Sequence, residues 1–326
     1  MKKTILKPLS KLYAWIVSLI QSFYARHPEK IKKVGARVIS VGNITWGGTG
    51  KTPLVITLAR YLTNQGKKTA VLIRGYGMDE VSELKSRPPG VPVLVGRDRV
   101  QLAEEAISKF GSEILVLDDG FQHIRLHRDM DVVNINSTCP FGPGGLIPLG
   151  NLREPVENLR RAHIFVLTKS NIGSKNIHLI RQKLLTIKPD ATIFEAIHKP
   201  VDLIDIRRKK SIDLQYLKNK KIGAISGIGD PHSFEKTAEL LGAEIMLSAR
   251  FDDHHRYSRG EVLDFAKLCK QQNIRDAVTT EKDFYRLEPV LRNAKPEDFS
   301  GINFLVLQIE FELGDEEDFI RRCLNS

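Results

Sequence analysis

Cysteine is scarce in this sequence. Three residues, Cys139, Cys269 and Cys323, lie far apart in 326 positions. An odd, scattered set excludes a disulfide framework and lacks the close pairs of a zinc site. It fits a reducing cytoplasm. Long apolar runs are also missing. The uncharged stretch near the N-terminus, Leu12 to Ala25, is 14 residues long and includes Ser18, Gln21 and Ser22. A spanning helix needs roughly 20 apolar residues. No small-residue cleavage site follows, so a signal peptide is not expected. Internal repeats and low-complexity tracts are not evident. Acidic residues are nearly absent from the first 33 positions, where Glu29 faces eight lysines and arginines and leaves a local charge of +7 out of +11 for the chain. The body is therefore only mildly basic. Without an aromatic-basic stripe there, a nucleic-acid groove is not expected.

A chain of this length accommodates two domains. In residues 8–26, Leu9, Leu12, Tyr13, Ile16, Leu19, Ile20, Phe23 and Tyr24 recur at helical spacing, flanked by lysines. That pattern suits a helix lying in a membrane interface. It equally suits a helix packed on the protein's own core, and both hold if only one face is docked.

The strongest local signal is Thr45-Trp46-Gly47-Gly48-Thr49-Gly50-Lys51-Thr52. It follows the β-branched run Val38 to Val41 and precedes a helical pattern from Pro53 to Leu62. Strand, glycine-rich loop, Gly-Lys-Thr and helix form the context of a phosphate-binding loop. Glycines let the loop turn its N–H groups toward phosphate oxygens, and the helix N-terminus adds partial positive charge. Lys51 is then expected on the β- and γ-phosphates of ATP and the Thr52 hydroxyl on Mg²⁺. Thr45 replaces the usual first glycine.

The chain then alternates strand and helix, which predicts a mostly parallel α/β sheet. A strand ending at Ile73 leads into Arg74-Gly75-Tyr76-Gly77, either a ligand-facing arginine or a glycine turn with a solvated one. Arg87-Pro88-Pro89-Gly90 reads as a loop. Strands are predicted at 91–95, 113–119, 131–136, 164–168 and 192–197, and helices at 99–110 and 175–187. The strand at 113–119 ends in Asp118-Asp119, where a metal-holding acid sits in nucleotide-binding sheets. A long Gly/Pro loop spans 141–155. Basic runs at 207–210 and 218–221 suggest an interdomain linker. A second α/β segment begins at Lys221, with Asp230 capping a helix. Phe251-Asp252-Asp253-His254-His255 offers proton transfer, metal binding or a polar helix cap; adjacent histidines aim poorly at one ion, so metal is the weaker choice. Residues 303–311 alternate polar and apolar, as on an exposed sheet or ribbon.

Taken together, Ser40-Val41-Gly42-Asn43-Ile44-Thr45, Gly47 through Pro53, Arg74-Gly75-Tyr76-Gly77, Asp118-Asp119-Gly120-Phe121-Gln122-His123, Leu152-Arg153-Glu154-Pro155 and Asp253-His254 resemble the tetraacyldisaccharide 4'-kinases, the lipid A 4'-kinases of Gram-negative bacteria. The likeness runs nearly end to end and includes the Thr45 departure. Met78-Asp79-Glu80 lacks a basic residue expected there. The resemblance implies transfer of the ATP γ-phosphate to the 4'-hydroxyl of a tetraacyl glucosamine disaccharide 1-phosphate, giving lipid IVA. It implies ATP and Mg²⁺, a peripheral site on the cytoplasmic face of the inner membrane, and no obligate protein partner. It also implies a P-loop NTPase-like α/β fold with a second, smaller α/β/α lobe joined by a β-ribbon. The expected divisions are 1–30, an interfacial helix; 31–200, the P-loop domain; 201–220, a linker; 221–300, the smaller lobe; and 301–326, a returning strand and final helix. By the same resemblance Asp118 and His254 take the hydroxyl proton, Asp119 assists Mg²⁺, and Arg74, Gly75, Tyr76, Gln122, His123 and Arg153 contact substrate. A competing reading is a P-loop ATPase that regulates membrane or partner binding without transferring phosphate; a third, a basic nucleic-acid binder, is disfavoured by the charge placement.

Overall fold

The computed structural model describes residues 2–47, 49–75, 81, 84, 90–295 and 297–325. The chain divides into two compact units, residues 1–197 with 311–326, and residues 198–310.

The first unit is built on a parallel sheet in the order β7-β6-β5-β1-β4-β2-β3. Its strands are β1 (Arg37–Gly42), β2 (Thr69–Ile73), β3 (Val93–Val95), β4 (Ile114–Asp118), β5 (Met130–Asn136), β6 (Ile164–Thr168) and the first part of β7 (Thr192–Asp205). Strands β2, β4 and β6 are apolar or β-branched nearly along their length because both sheet faces are covered. Alternation divides them between layers. Ile39 and Val41 pack with Leu54, Leu58 and Leu62 of α2 (Lys51–Asn64) and with Phe319 of the helix Glu316–Asn325. Val38, Leu115 and Leu117 face the opposite layer, against Val100, Ala103 and Ala106 of the helix Arg99–Phe110. Asp98 starts that helix by accepting hydrogen bonds from Val100 and Gln101 N–H, and Gly111 stops it at φ 61°. Leu58 is fully buried; truncating it to Ala would cost about 2–5 kcal/mol.

Register places the functional ends. Val41 of β1 is level with Asp118 of β4. The loop after β1 and the acids after β4 thus leave adjacent strands at the same height. Strand order reverses about β1, and ligands bind beyond the carboxyl ends of strands at such a switch point.

In the second unit, β9 (Lys221–Ser226), β10 (Glu244–Arg250), β11 (Asp276–Thr280) and β12 (Asn303–Leu313) run parallel in the order β10-β9-β11-β12. Helices Pro231–Leu240, Arg259–Gln271 and Glu281–Arg292 flank them, with separate apolar clusters on the two faces.

Two expectations are corrected here. Residues 201–220 are not a linker: β7 runs on to Asp205 and pairs antiparallel with β8 (Lys210–Ile212), so the run at 207–210 forms a hairpin turn within the second unit. That unit accordingly takes in more chain than 221–300. The start of β12 is not exposed either. Phe304, Leu305, Val306 and Leu307 are all buried, because parallel pairing with β11 places them between two layers.

The N-terminal helix α1 extends over Lys2–Arg26, longer than the expected 8–26. Ser10 is buried and Tyr13, Val17, Gln21 and Tyr24 are half-buried, a docked stripe at helical spacing. Leu12, Trp15, Ile16, Leu19 and Phe23 are exposed, Trp15 at 60%. Among the described residues no helix is long and apolar enough to cross a membrane.

Candidate active site

The loop after β1 is braced from within. Gly42 is required by a close approach: a Cβ there would lie 2.6 Å from the Phe121 Cβ. Asn43, fully buried, donates to the Thr45 carbonyl and the Thr49 hydroxyl, both at 2.8 Å. The Thr168 hydroxyl donates to the Thr49 carbonyl at 2.9 Å. Trp46 N–H donates to the Asn151 carbonyl at 2.7 Å, and Arg153 N–H to the Ile44 carbonyl at 2.7 Å. Gly47 and Gly50 have φ of 118° and 77°, conformations that favour glycine. Gly50 is the N-cap of α2 and has no side chain to engage the first amides. Those amides suit an anion. Lys51 and Thr52 begin the helix. Gly48 lies outside the described residues.

Beside this loop, Asp118 ends β4 and is 3% exposed. Asp119 follows with φ 53°, a left-handed conformation that costs a non-glycine residue of order 1 kcal/mol or more. The turn then closes at Gly120, where a Cβ would lie 2.6 Å from Leu117 Cδ2 and 2.8 Å from Ser40 Oγ. Lys51 Nζ stands 3.6 Å from Asp119 Oδ1. Arg153 Nη1 donates to Asp119 Oδ1 at 2.8 Å and Oδ2 at 2.7 Å. Burial alone would raise the Asp119 carboxyl, but Lys51 and Arg153 overcome it and hold the group below the usual carboxylate range.

Gln122 completes the network. It accepts from Arg153 Nη1 at 3.3 Å and donates to the Asn43 carbonyl at 2.8 Å and Glu154 Oε1 at 2.7 Å. The amide thus bridges the phosphate loop, Arg153 and a buried carboxylate. Glu154 is 1% exposed. It also accepts from Gln21 and Asn158 and pairs with Arg161, each at 3.0 Å. Arg153 stacks over the exposed Trp46 ring, 5.7 Å from its centroid. His123 is half-buried. Desolvation, then the charges of Arg99 and Arg128, push its imidazole down to about 4, so it is neutral at pH 7. Arg74 and Gly75 leave the carboxyl end of β2, Arg74 exposed and Gly75 at φ 79°. Tyr76, Gly77 and the Met78-Asp79-Glu80 departure lie outside the described residues, as do Arg87, Pro88 and Pro89.

The oxygen donors at this point are the Thr52 hydroxyl, buried at 5% exposure, and the two strand-end carboxylates. Among the described residues no group of three or more His, Cys, Asp or Glu side chains forms a metal cage. Hard oxygens few in number suit Mg²⁺, which keeps waters and phosphate oxygens in its shell.

His254 belongs to the second unit. Its N–H donates to the Gly227 carbonyl at 3.1 Å, its φ is 63°, and its ring is 39% exposed with Nε2 3.9 Å from Asp253 Oδ1. His255 is different: it stacks on Phe251 at 4.4 Å and meets Glu261 at 3.2 Å, a structural role. The loop is organised by Asp283, fully buried, which accepts from Tyr257 OH at 2.8 Å, Gly227 N–H at 3.1 Å and the Thr280 hydroxyl at 2.7 Å. Arg286, 3.5 Å from Asp283, also donates to the Gly227 and His255 carbonyls. Burial foremost raises the Asp283 carboxyl, against the lowering effect of these partners.

The structure therefore brings Lys51, Asp119, Arg153 and Gln122 into one network, with Asp118 at its edge, and places His254 in the other unit. Sequence reasoning passed over Glu154, Arg99 and Asp283 as site-forming residues. Glu154 stands within a motif already singled out. Arg99 follows a helix cap, and its charge acts on both Asp119 and His123. Asp283 gave no signal beyond a charged residue after a strand.

The family model for tetraacyldisaccharide-1-P 4'-kinase matches residues 2–326. The chain is 38% identical over 332 residues to the tetraacyldisaccharide 4'-kinase of Syntrophus aciditrophicus, covering 93% of this chain and 89% of that protein. Its identity to the corresponding protein of Halothermothrix orenii is 36% over 345 residues, with 95% and 88% covered. It is also similar to the solved structure of LpxK from Aquifex aeolicus in complex with ATP, at 28% identity, 98% coverage of each chain and a TM-score of 0.68.

Proposed function

The chain belongs to the tetraacyldisaccharide-1-P 4'-kinase family, and on that premise we propose that Lys51, Asp118 and His254 carry its chemistry at the inner-membrane surface. The protein is an ATP-dependent lipid kinase of lipid A biosynthesis. It transfers the γ-phosphate to the 4'-hydroxyl of a tetraacyldisaccharide 1-phosphate.

The observation that carries the assignment of roles is the meeting of Lys51, first residue of α2, with Asp119 at the end of β4, 3.6 Å apart. It brings a phosphate-gripping cation and metal-suited carboxylates to one point. Phosphoryl transfer depends on positioning and on neutralising charge. Lys51 and the α2 N-terminal amides bind the transferred phosphate and stabilise its charge. Mg²⁺, when bound, shields the phosphate oxygens, and Thr52 and Asp119 are the residues that would hold it. Asp118 and His254 take up the proton of the 4'-hydroxyl, a general-base role that a carboxylate and an imidazole can fill. Arg74, Gln122, His123 and Arg153 line or support the acceptor side. Tyr76 would join them.

The exposed apolar face of α1 supports peripheral membrane binding. Each of its larger side chains could gain about 1.5–3 kcal/mol when buried in acyl chains, and the lysines nearby about 1 kcal/mol each at an anionic surface. Labelled ATP, Mg²⁺ and the lipid disaccharide should yield a new labelled phospholipid by chromatography. ATP hydrolysis without that product would support a regulatory ATPase instead.

A further inference from the structure

One face of α1 is hydrogen-bonded to a single segment of chain. Ser10 Oγ donates to the Leu146 carbonyl at 2.8 Å, Tyr13 OH to the Arg153 carbonyl at 2.8 Å, and Gln21 Nε2 to Glu154 Oε2 at 3.0 Å. Positions 10, 13, 17 and 21 share one helix face by their spacing. The segment they hold is also the one that frames the phosphate site. Leu152 bridges to Thr45, Asn151 takes the Trp46 N–H, and Arg153 donates from its backbone to Ile44 and from its side chain to Asp119. Residues 151–154 therefore lie between α1 on one side and the phosphate loop with Asp119 on the other.

The contacts are not interchangeable surface bonds. Glu154 is a buried carboxylate, and a buried charge is tolerated only with its partners in place. Gln21 shares it with Gln122, the amide that also bonds Arg153. Burial foremost, with the Glu154 charge adding, raises the Tyr13 phenol, so it remains a donor at neutral pH. Meanwhile Leu12, Trp15, Leu19 and Phe23 on another face of α1 are exposed. Anything that seats those side chains also sets the azimuth of Tyr13 and Gln21.

We propose that Tyr13 and Gln21 are positioning residues for phosphoryl transfer, tying the seating of α1 on lipid to the placement of Arg153 against Asp119. The proposal rests on the kinase reading above. It makes α1 part of the site's framework as well as an anchor.

The test is the full-length Tyr13→Phe/Gln21→Met variant, which keeps side-chain volume and removes both donors. Turnover of the lipid disaccharide is measured below the melting midpoint of each protein. Co-sedimentation uses vesicles of mixed phosphatidylglycerol and phosphatidylethanolamine. We expect kcat to fall by about fivefold to fiftyfold, a displacement-sized effect. The lipid KM and vesicle binding should stay within about twofold of the unsubstituted protein. In an Arg153→Ala background the same pair should change kcat by less than about twofold, because its effect runs through Arg153. The single Tyr13→Phe change, one oxygen atom, should show the same pattern in weaker form. A kcat within twofold, or a loss confined to lipid KM and vesicle binding, or full additivity with Arg153→Ala, would overturn the proposal. Failure of the unsubstituted protein to phosphorylate the lipid would instead remove the kinase reading on which it stands.

Discussion

Arg153 meets Asp119 through one nitrogen, Nη1, which lies 2.8 and 2.7 Å from the two carboxylate oxygens. With Lys51 on the other side, a left-handed acid is held between two cations, one from the phosphate loop and one from the segment beneath α1. The site's charge balance depends on this arrangement. Asp119 is kept ionised by the two cations.

Arg153→Ala should therefore raise the Asp119 carboxyl and lower kcat by about 10- to 100-fold. The Asp119 carboxyl is depressed in the folded protein, so its stabilising contribution is present above the unfolded value of ~3.9 and is lost as pH falls through the lower folded value. Removing Arg153 shifts that loss upward in pH. Parallel kcat–pH profiles and acid unfolding curves check this; coincident acid limbs would exclude the ion pair as the cause.

His123 gives a dependence of the same sign at higher pH. Its imidazole is pushed down to about 4, against 6.5 unfolded, so the unfolded chain binds the extra proton. Stability should fall between pH 6.5 and 4, by at most about 3 kcal/mol from this group. Urea unfolding of the unsubstituted protein and His123→Gln at pH 7 and pH 4.5 measures the difference. The variant should lose less on acidification, and NMR of the ring should show no titration near 6.5.

Asp283 holds the His254 loop without facing solvent. Asp283→Ala leaves Arg286 and the Tyr257 hydroxyl without their buried partner and should cost about 3–5 kcal/mol. Single-turnover transfer should fall with it under conditions where the protein remains folded, whereas ATP binding by the first unit should hold within about twofold. Chemical denaturation and nucleotide titration separate the two effects.

Much of the first unit was legible in the sequence. The helix at Arg99–Phe110 and the strand at Ile164–Thr168 sit where periodicity placed them, because their caps and apolar runs are local signals. The phosphate loop was legible because its glycines and Gly-Lys-Thr state their geometry directly. The start of β12 was misread: its alternation suggests one wet face, but parallel pairing buries both. The run at 207–210 looked like a linker because a hairpin turn and a linker share a basic, solvated composition. Gln122 read as a substrate contact, and nothing in its type announces that its amide joins Asn43, Glu154 and Arg153. Asp283 was invisible for the same reason, since its partners come from Gly227, Tyr257 and Thr280, distant in sequence or on another element.

The most direct test of the account is single-turnover phosphoryl transfer to the lipid disaccharide by His254→Ala, with ATP and Mg²⁺ saturating. Loss of a base in that role should slow the chemical step by about 10²–10⁴-fold while ATP affinity is kept. Transfer within about threefold of the unsubstituted protein would contradict the proton-accepting role proposed for His254.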